Sequence, residues 1–91
     1  MYKPARTKQF KKDFKRLMRS GRYDMKKLEN TLELLVKNVA LPARYENHAL
    51  KGRLYGSFEC HIEPDWLLIY LKIDGIMVLY LMRTGSHSEL F

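Results

Sequence analysis

The sequence predicts an α+β fold in which two antiparallel N-terminal helices pack on one face of a small, mainly antiparallel sheet. Three observations carry that expectation. The first half holds two consecutive amphipathic stripes at helical spacing, the second half holds alternating or aliphatic-rich segments, and Asp74-Gly75 supplies a hairpin dipeptide between the last two of these. Ninety-one residues suffice for one such pair of layers and are too few for a second core, so a single domain spanning residues 1–91 is expected.

Tyr2 to Arg6 suits an edge strand, because Pro4 lacks the N–H that a central strand must donate. Thr7 can cap a helix whose apolar residues Phe10, Phe14, Leu17 and Met18 fall on one side, with Lys11, Lys12, Lys15, Arg16 and Arg19 on the others and Ser20-Gly21 as its end. Asp24 then caps a second helix with the stripe Met25, Leu28, Leu32, Leu35 and Val39, which Pro42 closes. Residues 43–53 show no period and read as a loop that carries His48, Lys51 and Gly52. Gly56-Ser57 suits a tight turn with a positive φ at the glycine, between Leu54-Tyr55 and a strand that begins near Phe58.

Ser57 to Glu63 alternates as a half-buried strand does, and the segments Trp66–Ile73 and Ile76–Arg83 flank Asp74-Gly75. A two-residue loop there pairs Ile73 with Ile76, Tyr70 with Leu79 and Trp66 with Arg83. A second two-residue connection at Pro64-Asp65 pairs Glu63 with Trp66 and His61 with Leu68. Glu59, His61, Glu63, Trp66 and Arg83 then share one face. The face expected under the helices holds Phe58, Cys60, Ile62, Leu67, Ile69, Leu71, Ile73, Ile76, Val78, Tyr80 and Met82.

A composition of 46% hydrophobic and 30% charged residues is that of an ordinary globular chain, and no apolar run approaches membrane-spanning length. The lone cysteine and the absence of an apolar segment behind Met1 point to the cytoplasm. The net charge of +7 is concentrated: residues 1–27 hold 11 of the 17 Lys and Arg and only Asp13 and Asp24 as acids. Such density attracts a polyanion, nucleic acid or an acidic protein segment, although a solvated helix face has the same composition.

His61-Ile62-Glu63-Pro64-Asp65-Trp66 concentrates titratable groups and the only tryptophan at a chain reversal. Histidine titrates near neutrality and a carboxylate such as Asp65 can orient it or act as base, so His48, His61 and His87 beside Asp65 form an acid/base set. No two of the histidines have a close ligand spacing, and Arg83 suits an anionic substrate, so neither a metal nor another cofactor is expected. Arg83 offers a fork for phosphate and Trp66 a surface for a base; a salt bridge to Glu63 and a core tryptophan are the structural alternatives. Cys60 falls on the covered face and reads as core. A small basic chain with these groups suits a metal-independent ribonuclease, in which the 2′-OH attacks the adjacent phosphorus, the 5′-oxygen leaves with a proton, and an arginine stabilises the equatorial oxygens.

Asn47-His48-Ala49-Leu50-Lys51-Gly52, Glu59-Cys60-His61-Ile62-Glu63-Pro64-Asp65-Trp66-Leu67-Leu68-Ile69-Tyr70 and Arg83-Thr84-Gly85-Ser86-His87-Ser88-Glu89-Leu90-Phe91 resemble the YafQ branch of the RelE toxin superfamily. The resemblance covers about half the chain by motif; the helical half agrees in pattern and charge. It implies a type II toxin that cleaves mRNA in the A site of the small ribosomal subunit, is neutralised by a protein antitoxin, and meets operator DNA only within the antitoxin complex. It places the family's site positions on His48, His61, Asp65, Trp66, Arg83, His87 and Phe91. The expected roles are His87 as general acid, Asp65 or His61 as general base, Arg83 as phosphate clamp, and His48 as a further proton or phosphate contact. Trp66, Phe91 and Lys51 are expected to hold the RNA. Two positions depart from the motif: Phe58 stands where arginine is frequent, and Asn47 where aspartate is frequent. Two other readings remain at this level, a same-fold toxin that acts by binding in the manner of a gyrase poison, and a non-catalytic nucleic-acid-binding regulatory domain.

Overall fold

Thr7 and Asp24 start the two long helices by satisfying N–H groups that have no partner within the helix. In the computed structural model, which describes residues 1–91, the Thr7 hydroxyl accepts the Phe10 N–H at 3.1 Å to open α1 (Lys8–Ser20), and Gly21 at φ 68° closes it. Asp24 accepts the Lys26 N–H at 3.0 Å to open α2 (Met25–Val36). The α2 helix stops before its apolar stripe runs out, because Asn38 turns left-handed at φ 58° and leaves Val39 exposed. Met18 is exposed as well, so α1 buries a narrower stripe of Phe10, Asp13 and Leu17. Leu28, Thr31 and Leu35 are the buried side of α2, and the Thr31 hydroxyl donates to the Tyr45 hydroxyl at 3.1 Å inside the core.

The sheet runs in the order β1-β5-β4-β3-β2. Strand β1 (Lys3–Arg6) is an edge strand, parallel to β5 (Val78–Gly85), and carries Pro4 as expected. The other pairs are antiparallel: β2 (His48–Ala49) with β3 (Phe58–Glu63), β3 with β4 (Trp66–Ile73), and β4 with β5. The segment read as a loop therefore supplies a short second edge strand. Gly56 does take a positive φ of 95°, but Gly52–Leu54 is a 3-10 turn rather than the approach to a strand, so the hairpin is formed by β2 and β3.

Register departs from expectation in three places. Asp74–Ile76 coil into a 3-10 turn and Met77, at φ 52°, takes the left-handed position, so the connection is longer and Ile73 pairs with Val78 rather than Ile76. Pro64-Asp65 is the short connection expected and Glu63 does face Trp66, but Ile62 bulges and His61 faces Leu67 instead of Leu68. Met82 bulges in the same way, so Arg83 faces Ile69 and not Trp66. Each bulge adds one residue to one strand and reverses the side on which everything beyond it points.

Those reversals exchange the two faces of β4. The helices cover Cys60, Trp66, Leu68, Tyr70, Leu79 and Leu81, which join Phe10, Leu17, Leu28 and Leu35 in the core. Leu67 and Ile69, expected beneath the helices, belong to the side that carries Glu59, His61 and Arg83. Trimming Leu35 to alanine should cost about 2–5 kcal/mol of stability. The same change at Val39, on the same predicted stripe, should stay within about 0.5 kcal/mol in urea denaturation.

Candidate active site

Backbone pairing lines up side chains across the face turned away from the two long helices. His48, Glu59, Ile69 and Arg83 occupy one row through β2, β3, β4 and β5, and His61, Leu67 and Gly85 occupy the next. Adjacent strands are spaced by about 4.8 Å, which sets Glu59 and Arg83 roughly 10 Å apart along their row. Glu59 Oε1 lies 3.4 Å from His61 Nε2 and 3.9 Å from His48 Nε2, and the two rings are 6.4 Å apart. The remaining ring nitrogens are occupied: His48 Nδ1–H donates to the Glu46 carbonyl at 2.8 Å and His61 Nδ1–H to the Pro64 carbonyl at 3.2 Å. A carbonyl only accepts, so both Nδ1 atoms carry hydrogen and Nε2 is the nitrogen that faces Glu59. Strand alternation puts Glu59 on the same face as His61 two residues away, and that spacing is the sequence signal for their contact.

Arg83 lies on β5 with its side chain 29% exposed, and its partner is Asp13 rather than the expected alternative Glu63. Asp13 is fully buried. Arg83 Nε donates to Asp13 Oδ2 at 2.7 Å and Nη2 to Oδ1 at 3.2 Å, while the Thr84 N–H donates to Oδ2 at 3.2 Å. Arg16 Nη1 and Gln9 Nε2 add donors to Oδ1 at 3.0 and 3.3 Å, and Arg16 Nη2 donates to the Thr84 carbonyl at 3.2 Å. Burial pushes the Asp13 carboxyl upward, but the hydrogen bonds from Arg83, Thr84, Arg16 and Gln9 outweigh it and hold the group below the ordinary aspartate value. The same bond to Asp13 raises the Arg83 guanidinium further. Glu63 instead pairs with Lys27 at 2.8 Å.

Beyond β5 the chain enters α3 (His87–Leu90), whose start is fixed twice. Ser86 and Glu89 cap each other, with the Ser86 N–H donating to Glu89 Oε1 at 2.8 Å. The Asp65 carboxylate accepts the His87 N–H at 3.0 Å, so the β3–β4 turn holds the histidine's backbone in place. The His87 and Phe91 rings lie 5.2 Å apart. Arg16 Nε lies 2.9 Å from Glu89 Oε2, which ties this segment to α1.

A cleft of about 640 Å³ opens beside Arg83. Lys51, Arg53, Gln9 and Thr7 line it together with Leu54, Ile69, Met82, Leu90 and Phe91. Lys51, Arg83 and Phe91 thus line one cleft, while His48, His61, Asp65 and His87 stand outside it. Trp66 does not join them. It is 1% exposed beneath the helices, edge-on to Tyr23 at 4.9 Å, and its indole N–H donates to the Thr84 hydroxyl at 3.0 Å, so it cannot stack on a base. Cys60 is buried and its thiol is pushed up to about 12, first by burial and then by the Glu59 charge, which leaves it inert as a nucleophile. No group of three or more His, Cys, Asp or Glu side chains is disposed to hold a metal ion.

The family model for the bacterial toxin of type II toxin-antitoxin systems, YafQ, matches residues 2–91. The chain belongs to the YafQ toxin family. The mRNA interferase toxin YafQ of Escherichia coli strain K12 is 43% identical over 84 residues, 91% of this chain and 88% of that one. A chain of the E. coli DinJ-YafQ complex superimposes with a TM-score of 0.88 at 39% identity, covering 100% of this chain and 99% of that one. A metal-bound toxin from Helicobacter pylori superimposes with a TM-score of 0.93 at 41% identity, covering 100% of each. The YafQ fold is RelE-like, so the expected α+β arrangement holds. No helix is long and apolar enough to cross a membrane.

Because Trp66 is core, Trp66→Ala should lower stability by about 3–5 kcal/mol in urea denaturation with no RNA present. The acid limb of stability follows from Asp13 and Glu89, whose folded carboxyls both lie below their ordinary values. The unfolded chain then binds protons more readily, so their contribution is present above about pH 4 and is lost as pH falls through the folded values. Denaturation between pH 6 and pH 2 should show that decline, and Asp13→Asn should remove its share of the slope.

Proposed function

We propose that this YafQ-family toxin is a ribosome-dependent endoribonuclease that cleaves mRNA in the A site by acid/base chemistry on the 2′-OH. The observation that carries the reading is the row of His48, Glu59 and Arg83 beside His61 on one sheet face, with His87 fixed where that face ends. His61 Nε2 takes the 2′-OH proton, and Glu59, 3.4 Å away, stabilises the imidazolium that forms. Arg83 meets the phosphoryl oxygens as charge gathers on them. His87 gives its proton to the departing 5′-oxygen. Asp65, committed to the His87 N–H, orients the acid, which favours His61 as the base. Lys51 and Phe91 hold the nucleotide that occupies the cleft, and His48 makes a further phosphate contact.

The E. coli relatives support both halves of this reading, one as an mRNA interferase and one in complex with DinJ. The partner is accordingly a cognate protein antitoxin, operator DNA is reached only through that complex, and the site of action is the cytoplasm. Exposed cations of α1, Lys8, Lys11, Lys12, Lys15 and Arg19, present a positive face to ribosomal RNA.

Added to a translating extract, the protein should produce codon-phased mRNA ends. His87→Ala should reduce that cleavage at least about 100-fold with the fold intact by circular dichroism. Intact mRNA with the unaltered protein would move the assignment to a toxin that acts by binding.

A further inference from the structure

We infer that Asp13, on α1, is a positioning residue for RNA cleavage, gripping one edge of the Arg83 guanidinium so that its other edge is presented to phosphate in the cleft. The inference rests on the reading of Arg83 as the phosphate clamp. An arginine carries five N–H groups in a rigid plane. Asp13 takes the Nε–H and one Nη2–H, the side-on edge, at 2.7 and 3.2 Å. The end-on edge, one N–H from each terminal nitrogen, remains for two phosphoryl oxygens, and bidentate contact of that kind is the strong one. Arg83 lines the cleft, whereas Asp13 is fully buried behind it, so a phosphate meets the cation without meeting the carboxylate.

Asp13 is itself held still. Donors from Arg83, Arg16, Gln9 and the Thr84 N–H fill its two oxygens, and Thr84 is the next residue along the strand from Arg83. Both the base of the Arg83 side chain and its tip are therefore referred to one carboxylate. A phosphate contact displaced by about 1 Å loses about 100-fold in rate, so this grip has kinetic weight. The helix is otherwise strongly basic, with six cations in Lys8–Ser20 and Asp13 as its single acid.

The test is a double-mutant cycle on mRNA cleavage in a translating extract. Asp13→Asn keeps the shape and an acceptor but loses the charged grip. In the otherwise unaltered protein it should lower kcat about 100-fold with a smaller change in KM. In an Arg83→Ala background it should cause little further loss. An equal fold-loss in both backgrounds means that Asp13 acts only on the fold and overturns the inference, as does an unchanged kcat in the single variant. If Asp13→Asn does not fold by circular dichroism, Arg83→Ala with added methylguanidinium decides the matter. Saturable binding seen by calorimetry, with partial return of cleavage, supports the grip; absence of binding overturns it. Methylguanidinium binding needs no mRNA, so failure of the unaltered protein to cleave, which would sink the ribonuclease reading, is distinguishable from failure of the grip.

Discussion

A carboxylate with no exposed surface must find hydrogen-bond donors for both oxygens, and much of this molecule is arranged around that requirement at Asp13. Strand β1 pairs with only the first half of β5, from Val78 to Leu81, and leaves the second half with a bare backbone edge. The α1 helix closes it with side chains: the Thr7 hydroxyl donates to the Met82 carbonyl at 3.0 Å, Asp13 accepts the Thr84 N–H, and Arg16 donates to the Thr84 carbonyl. Arg16 continues to Glu89 and so to the segment that carries His87 and Phe91. A helix usually secures a sheet by apolar contact across a face. Here α1 also secures it through a charge at the edge, and removing one partner of such a buried pair typically costs about 3–5 kcal/mol.

The two bulges form the second constraint. Without them Trp66, His61 and Arg83 would share a face, and either the tryptophan would be exposed or His61 and Arg83 would be buried under the helices. The Ile62 bulge turns His61 and Glu59 away from Trp66, and the Met82 bulge turns Arg83 away from Leu81. One sheet thereby has an apolar side under the helices and a second side on which Glu59, His61 and Arg83 flank Leu67 and Ile69.

How far this was legible follows from the same residues. Helix caps at Thr7 and Asp24, the edge character of Pro4 and the existence of β3, β4 and β5 are local properties, and local chemistry disclosed them. Bulges are not local: Ile62 and Met82 look like ordinary apolar strand residues, and what makes each bulge is the partner strand. Both bulges reverse parity, so their effects cancel for Glu59, His61 and Arg83, which share a face as the alternation predicts, and fall on β4, where Trp66 turns under the helices and Leu67 and Ile69 turn to the opposite side. The Asp74-Gly75 dipeptide misled in another way, since it lies within a longer turn whose left-handed residue is Met77. Asp13 is the single acid among six cations of α1, and its burial follows from the approach of the helix to the β5 edge, which no local pattern encodes.

The borders of the sheet bear on solubility. A long flat edge of free N–H and C=O groups recruits further strands and seeds fibrils. On one side of this sheet the border is β1, four residues long with a proline in it, and past its end α1 side chains occupy the backbone of β5. On the other side β2 contributes only two residues. Neither border offers a template of useful length. Strand-by-strand polymerisation is disfavoured from both directions, so the sheet borders themselves resist edge-to-edge association of separate copies.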